Sequence, residues 1–458
     1  MTAHDEVSSK IQVTTTRIGK RGNGRAHAFR ADLPQALISL AWTAAVLVAI
    51  GCLCGTAAAQ GSGGVNTVEM QSRPYVILIS IDGFRWDYQA RYRTPNLDWV
   101  AAEGIKAESL KPVFPTLTFP NHYSIATGLY PANHGIVGNR FFDAERRSLY
   151  SLRDRKAVGD GEWYGGEPLW VAAERNGMVS AAYYFVGTEA DIGGIRPSHW
   201  FNFNPAVPGE ERVAQVLDWL RLDARERPHL ITLYFEDVDS ATHEHGVGSD
   251  LSVAAIERVD AQIGTLLDGI AEMPIANDVH VVIVSDHGML DYRDEEPFVL
   301  SDVVNLRGVR VVEHGSVAFL YLDEGDPGKT RARARSMVEQ INDHWQHGQA
   351  VRRGQAPDDW SITADSLFAD VIAIADPGYA VNARRITRPK SRGDHGWAPD
   401  AKDMHGIFLA YGSRIPAGRR VARASAVDVY PFVLEILGLP VPDDIDGDPA
   451  ALVPLLKD

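Results

Sequence analysis

Three largely apolar runs, Tyr75 to Ile81, Leu230 to Phe235 and Val281 to Val284, are each followed within a few residues by a carboxylate: Asp82, Asp239 and Asp286. A run that is apolar at nearly every position, not at every second one, reads as a strand buried on both faces, which is the habit of a parallel sheet covered by helices. Amphipathic segments alternate with these runs from Pro74 onward. Leu97, Val100 and Ala101 form one helical stripe behind Thr94-Pro95, which reads as an N-cap with proline at the first helical position; Gly104 closes that helix. Val213, Val216, Leu217 and Leu220 form a second stripe, and Ile256, Ile263, Leu266, Leu267 and Ile270 a third. Further strands are expected at Ser180–Tyr184, Val317–Leu322 and Ile407–Tyr411. The pattern predicts an α/β fold with a large, mainly parallel central sheet flanked by helices. Arg331 to Ala364 is the least patterned stretch, either an excursion over one edge of the site or a surface insertion.

Ligands in such sheets gather at the carboxyl ends of the strands. A lone aspartate there is often only a turn former. Here three aspartates share those ends with His243, His287 and the loop Gly393-Asp394-His395-Gly396. The four-residue spacing of Asp239 and His243 puts both on one face of a helical turn. Three carboxylates and three imidazoles, without a thiolate, can hold two divalent metals; the donor set suits zinc, with manganese or iron also compatible. Paired metals point to phosphoryl-transfer chemistry. The candidate nucleophile is Thr118, in Phe114-Pro115-Thr116-Leu117-Thr118-Phe119-Pro120-Asn121-His122. Pro120 is placed to start a helix running to Gly128, so Thr118 sits at its N-terminus, where an anion is favoured. A threonine hydroxyl needs a base or a metal before it attacks.

The remainder of the composition restricts partners. The chain has 458 residues, 45% of them hydrophobic, enough for a large core. Residues 1–59 read as a signal peptide or an uncleaved signal anchor. They combine a basic region, the uncharged stretch Leu33 to Ala59 and a small-residue ending, Ala57-Ala58-Ala59-Gln60. Residues 60–73 read as a linker and 74–458 as the catalytic domain. Both cysteines, Cys52 and Cys54, lie in the removable segment, so disulfides are not expected to hold the mature chain. The expected location is the periplasm of a Gram-negative bacterium or the exterior, or the membrane if the anchor is retained. Removing residues 1–59, with six basic and three acidic side chains, takes the formal charge from −15 to −18. So acidic a chain is a poor partner for duplex nucleic acid.

The segment Lys111 to Asn139, KPVFPTLTFPNHYSIATGLYPANHGIVGN, resembles the active-site segment of the nucleotide pyrophosphatase/phosphodiesterase family, within the alkaline phosphatase superfamily. The likeness continues through Asp239–Gly246, Ser285–Gly288 and Gly393–Gly396 to Val429-Tyr430-Pro431 and Gly438-Leu439-Pro440, and so covers one catalytic domain. It implies an alkaline-phosphatase-like three-layer sandwich. It implies that Asp82, Thr118, Asp286 and His287 hold one Zn2+ and Asp239, His243 and His395 a second. It further implies that Thr118 is transiently esterified to phosphorus and that Asn139 donates its amide N–H to a non-bridging oxygen beside the Thr118 backbone N–H. His122 and His134 match no ligand position and are expected to hold loops; His245 and His405 are expected to be bystanders.

The family grips a nucleobase between aromatic rings. Phe119 fills one such position, Phe185-Val186-Gly187-Thr188 stands for Trp-Pro-Gly-Ser, and Phe203 stands for a tyrosine. Gly165 replaces a lysine of the animal members, which bears on base selectivity. The implied reaction is hydrolysis of nucleotide phosphodiesters and pyrophosphates to nucleoside 5′-monophosphates. Rival readings are a phosphomonoesterase, which needs basic side chains around the non-bridging oxygens, and a choline-headgroup phosphodiesterase, which needs an aromatic and acidic cage. A metal-binding module without activity is disfavoured by the intact nucleophile and ligand set.

Overall fold

Burial on both faces sets the architecture. The computed structural model describes residues 64–385 and 391–457; the expected signal segment lies outside the described residues. In chain order the strands are β1 (Tyr75–Ile81), β2 (Ile105–Ala107), β3 (Ser180–Tyr183), β4 (His199–Trp200), β5 (Leu230–Phe235) and β6 (Val279–Val284). Next come β7 (Val309–Glu313), β8 (Val317–Leu322), β9 (Gly348–Arg352) and β10 (Val371–Ala375), and finally β11 (Phe408–Tyr411) and β12 (Arg419–Val421). The main sheet has eight strands in the order β12-β2-β11-β6-β1-β5-β3-β4. Only β11 runs against its neighbours. β1 lies at the centre, parallel to β5 on one side and β6 on the other.

Helices cover both faces. Ile77, Ile79, Ile81, Leu233 and Ile283 pack with α1 (Pro95–Glu103), α3 (Gly209–Leu220) and α5 (Asp250–Ala271). Val76, Leu78, Val282 and Val284 point the other way, into a core shared with α2 (Thr118–Thr127) and α7 (Val429–Leu437). A short helix, α4 (Asp237–His245), follows β5 at the carboxyl edge. The result is a three-layer α/β sandwich. The stripes expected from helical spacing are buried, apart from the half-buried Leu267.

Two local expectations need revision, and a third, the strand at Val317–Leu322, forms as expected. Thr94 precedes α1 but does not cap it, because its hydroxyl faces the Asp98 carboxylate. Asp260 of α5 accepts the Asn96 and Leu97 N–H groups instead, tying the two helices together. The strand at Val317–Leu322 belongs not to the main sheet but to a separate antiparallel sheet, β7-β8-β10-β9. The unpatterned stretch Arg331 to Ala364 supplies most of α6 (Pro327–His344) and β9 to that unit, and none of its residues lines the site cavity. Lastly, the end of the expected linker is docked. Asn66 is buried and its side chain joins Ala224 O, Arg227 O and Val179 N. Among the described residues no helix is long and apolar enough to cross a membrane.

Ile79 has no exposed surface and faces Leu233 and Ile283 across the two central pairings. Ile79→Ala should cost about 2–5 kcal/mol of unfolding free energy, measured by denaturant titration; a loss under about 1 kcal/mol would mean that the core relaxes around the cavity.

Candidate active site and metal centre

The three carboxylates come from three adjacent parallel strands. Asp82 follows β1 directly, Asp286 stands two residues beyond β6, and Asp239 lies one turn into α4 after β5. Gly83 makes this approach possible. It adopts φ +69, and a Cβ there would stand 3.1 Å from the Asp239 Cα.

The imidazoles complete the cluster. His287 Nε2 lies 3.0 Å from Asp286 and 3.4 Å from Asp82, and His243 Nε2 lies 3.3 Å from Asp239. His395 Nε2 is 3.7 Å from Asp239, and its ring stacks on His287 at 3.6 Å between centroids. The chain closes this last gap by a clasp. Leu290-Asp291 pairs with Gly393-Asp394 as a short antiparallel ladder, Thr116 Oγ1 accepts from the Gly396 N–H, and Thr116 O accepts from His395 Nδ1.

The donor geometry fits a metal. His287 Nδ1 faces Gly288 O, His395 Nδ1 faces Thr116 O, and His243 Nδ1 faces Gly393 O. A ring nitrogen facing a carbonyl oxygen carries the proton, so each Nε2 turns a lone pair toward the carboxylates. Asp82 Oδ1, Asp239 Oδ1 and Asp286 Oδ2 are buried and accept no aligned hydrogen bond. Lone pairs facing orphaned carboxylate oxygens repel unless a cation lies between them. Burial, then the charges of Asp286 and Asp239, holds the Asp82 carboxyl well above the usual range. Burial also pushes Asp239 and Asp286 upward, but the His243 and His287 imidazoles outweigh it and hold both below the usual range. Asp239 in turn overrides burial to raise His243 to about 10. Burial, aided by His287, depresses His395 to about 3.

Thr118 is the first residue of α2, with its Oγ1 3.3 Å from His287 Nε2. The helix begins at Thr118 itself, two residues ahead of Pro120. Asn139 Oδ1 accepts the Phe119 N–H at 2.9 Å, which fixes the amide and leaves its NH2 group to face the cavity it lines. That cavity has a volume of about 470 Å³ and is lined by Asp82, Thr118, Phe119, Asn139, Asp239, His243 and His395, among others.

The aromatics divide. Phe203 is 37% exposed and meets Tyr184 edge-on; Phe119 is half-buried beside Tyr150. Phe185, expected to stack on substrate, lines the cavity but keeps only 6% exposure, with its ring edge-on to His122 and Trp170. Tyr184 and Phe185 take positive φ values of 63 and 144 at this bend.

Several residues at the site were given no role there by the motifs. The Tyr234 hydroxyl donates to Asp82 Oδ2 at 2.6 Å, orienting Oδ1 toward the cluster; a tyrosine near the end of an otherwise apolar strand was the available signal. His122 does more than hold a loop, since its Nδ1 faces both Thr118 O and Asp286 Oδ2 while Nε2 meets Ser80. Asp394 accepts from Tyr292 and stands near His243. Arg153 and Arg155 line the cavity from outside the motif segment. His134 joins Ser124 and the Ile136 N–H, as a loop holder should. His405 precedes β11 by three residues and bonds Ser109 and Pro399 O, and His245 faces only Glu244.

Residues 76–398 match the family model of the type I phosphodiesterase/nucleotide pyrophosphatase family. Ectonucleotide pyrophosphatase/phosphodiesterase family member 1 of Mus musculus is 30% identical over 395 residues, 85% of this chain and 43% of the relative. Family member 5 of Homo sapiens is 30% identical over 368 residues, 80% of this chain and 74% of the relative. The chain thus spans less than half the length of the mouse relative. The structure of murine family member 5, an inactive threonine-to-alanine variant in complex with AMP, superposes with a TM-score of 0.77 at 26% identity, covering 84% of this chain and all of that one. The sandwich is therefore alkaline-phosphatase-like, as the motifs implied. The matched span holds Thr118 and all six clustered carboxylates and imidazoles, and the chain belongs to the type I phosphodiesterase/nucleotide pyrophosphatase family.

Proposed function

We propose that this chain hydrolyses nucleotide phosphodiester and pyrophosphate bonds, releasing nucleoside 5′-monophosphates, by way of a covalent Thr118 ester. The observation that carries the reading is the arrangement around Thr118: three orphaned carboxylate oxygens and three outward Nε2 lone pairs beside a hydroxyl at a helix N-terminus. Asp82, Asp286 and His287, with Thr118, would hold one zinc ion, and Asp239, His243 and His395 a second; bound there, they supply positive charge against the phosphate and ease loss of the Thr118 proton. The Thr118 oxygen attacks phosphorus and expels the leaving group. The Asn139 amide and the Thr118 N–H face the non-bridging oxygens as preorganised donors, since the Phe119 N–H is already taken by Asn139 Oδ1. Water then cleaves the threonine ester. Phe119 and Phe203 offer faces for a nucleobase; the AMP bound by the murine relative supports a nucleotide occupant.

The rival headgroup reading requires free acidic groups for a quaternary ammonium. Glu236 is paired with the buried Arg212 at 2.7 Å, and Glu189 with Arg155, so both cavity glutamates are neutralised. The monoesterase reading requires several cations around the phosphate, and of the two arginines lining the cavity one is already paired. The basic region, uncharged stretch and small-residue ending of residues 1–59 support an exported or periplasmic enzyme with 74–458 as its catalytic domain, preceded by a removable or anchoring segment.

Three outcomes test this reading. A chelator should abolish activity and lower the thermal midpoint, with about two zinc ions per chain restoring both. Loading should release protons, because the cation-free site holds excess protons on groups such as Asp82 and His243. Titration calorimetry in buffers of differing ionisation enthalpy should show tighter binding as pH rises, and proton uptake would contradict the ligand assignment. Thr118→Ala should cut turnover of p-nitrophenyl thymidine monophosphate on the order of 10³-fold or more while zinc content persists, and Thr118→Ser should retain substantial activity. An active Thr118→Ala enzyme would point to direct attack by water. Phe203→Ala should cost about 1–3 kcal/mol in kcat/KM for nucleotides and little for a base-free diester. Phe185→Ala should instead lower stability by about 3–5 kcal/mol, as core phenylalanines do. A stability-neutral Phe185→Ala that selectively raised nucleotide KM would return that ring to the binding surface.

A further inference from the structure

Two arginines line the cavity, and they are not equivalent. Arg155 is held by Glu189, whose other carboxylate oxygen accepts the Phe203 N–H at 3.1 Å, so this pair braces the wall under the exposed ring. The Arg153 guanidinium has no ion pair, hydrogen bond or ring contact among the described residues, and its side chain is exposed on the cavity lining. Its backbone, by contrast, is fixed on both sides. The preceding Leu152 N–H donates to Asn139 O at 3.0 Å, the Arg153 N–H faces Ser151 Oγ at 3.3 Å, and the Asp154 N–H donates to Ser151 O at 2.9 Å. Asn139 is the residue whose amide is locked beside Phe119 at the start of α2. A hydrogen-bonded segment therefore presents an uncommitted guanidinium on the lining of the cavity that Thr118 and Asn139 share. The other charged groups on that lining are acidic or already paired: Asp82, Asp239, Glu236 and the Arg155–Glu189 couple. An arginine fork is suited to a phosphate's paired oxygens. A cation so placed has little role for a substrate with one phosphate and an uncharged leaving group, because the helix terminus, Asn139 and the metal ligand cluster already face that phosphate.

Resting on the proposed reaction, we infer that Arg153 is a specificity-determining residue that binds a second phosphate of the substrate, the one adjoining the phosphorus under attack. It would favour phosphoanhydride substrates, whose leaving group is itself a phosphate, over simple diesters. As the bond breaks, the bridging oxygen leaves with the electron pair and the leaving phosphate gains negative charge, which the Arg153 guanidinium would face.

The test compares ATP, whose leaving group is pyrophosphate, with p-nitrophenyl thymidine monophosphate, whose leaving group carries no phosphate, on zinc-loaded full-length enzyme. Arg153→Ala should lower the ratio of kcat/KM for ATP to kcat/KM for the nitrophenyl ester by about ten-fold or more, the scale of one charge-assisted hydrogen-bonded pair. Arg153→Lys should recover part of the ratio and Arg153→Glu should lower it further. An unchanged ratio, or an equal loss on both substrates, would overturn the assignment and leave Arg153 a solvated or structural side chain. So would a loss confined to a nitrophenyl ester bearing a 3′-phosphate, which would place the anion on the nucleoside side. A wild-type enzyme that cleaved neither substrate would overturn the proposed reaction, and this inference with it.

Discussion

Everything at this site follows from one electrostatic constraint: Asp82, Asp239 and Asp286 are brought together below the surface at the ends of three neighbouring strands. Like charges so close in a poorly solvated place cannot all remain ionised unless something positive joins them. Three imidazoles surround them, yet each is turned by a backbone carbonyl so that it offers a lone pair and not a proton. Without a cation, protons fill the gap, which is why Asp82 is pushed upward and His243 reaches about 10. Metal binding would replace this protonation, so occupancy and folding stability should be coupled at the site.

The scaffold around the cluster reads as support for that constraint. β1, β5 and β6 set the spacing of the carboxylates, and their apolar faces anchor those strand ends in two separate cores. Thr116, two residues before Thr118, holds the loop that carries His395, so the Thr118 segment and the most distant imidazole of the cluster share one set of hydrogen bonds. Tyr234 and His122 each fix one carboxylate without needing a charge of their own. Ser316, just ahead of β8, ties the four-stranded antiparallel sheet to the site by donating to His395 O at 2.7 Å.

The cavity beyond the cluster is divided by function and by charge. One wall carries exposed aromatic surface on Phe203, braced through Glu189 and Arg155; the deeper Phe185 ring is packed into the core. The lining also carries Arg153, whose neighbour Leu152 donates its N–H to Asn139 O. Pairing of Glu236 with Arg212 and of Glu189 with Arg155 leaves the lining without an uncommitted glutamate, which is why an anionic substrate suits it better than a cationic one.

Much of this was legible in the linear chain. Near-continuous apolar runs identify strands buried on both faces, and helical spacing identifies the covering layers, because both are local consequences of backbone periodicity. Aspartates and histidines just beyond those runs named the cluster, since strand ends are where a parallel sheet opens to ligand. Contacts between residues distant in sequence and local backbone departures were not legible. Asp260 capping α1, Tyr234 orienting Asp82 and His122 bracing Asp286 depend on contacts between distant segments, to which no spacing rule applies. Phe185 and Phe203 look alike as letters, yet packing against His122 and Trp170 buries one ring and the other stays exposed. The helix and strand within Arg331–Ala364 owe their place to a second sheet that β8 and β10 complete, and Arg153 acquires meaning only because its neighbour Leu152 is hydrogen-bonded to Asn139. Residue type and periodicity determined which groups the chain brings to the sheet's edge; tertiary packing decided which way each one faces, because orientation is set by neighbours that the sequence does not place side by side.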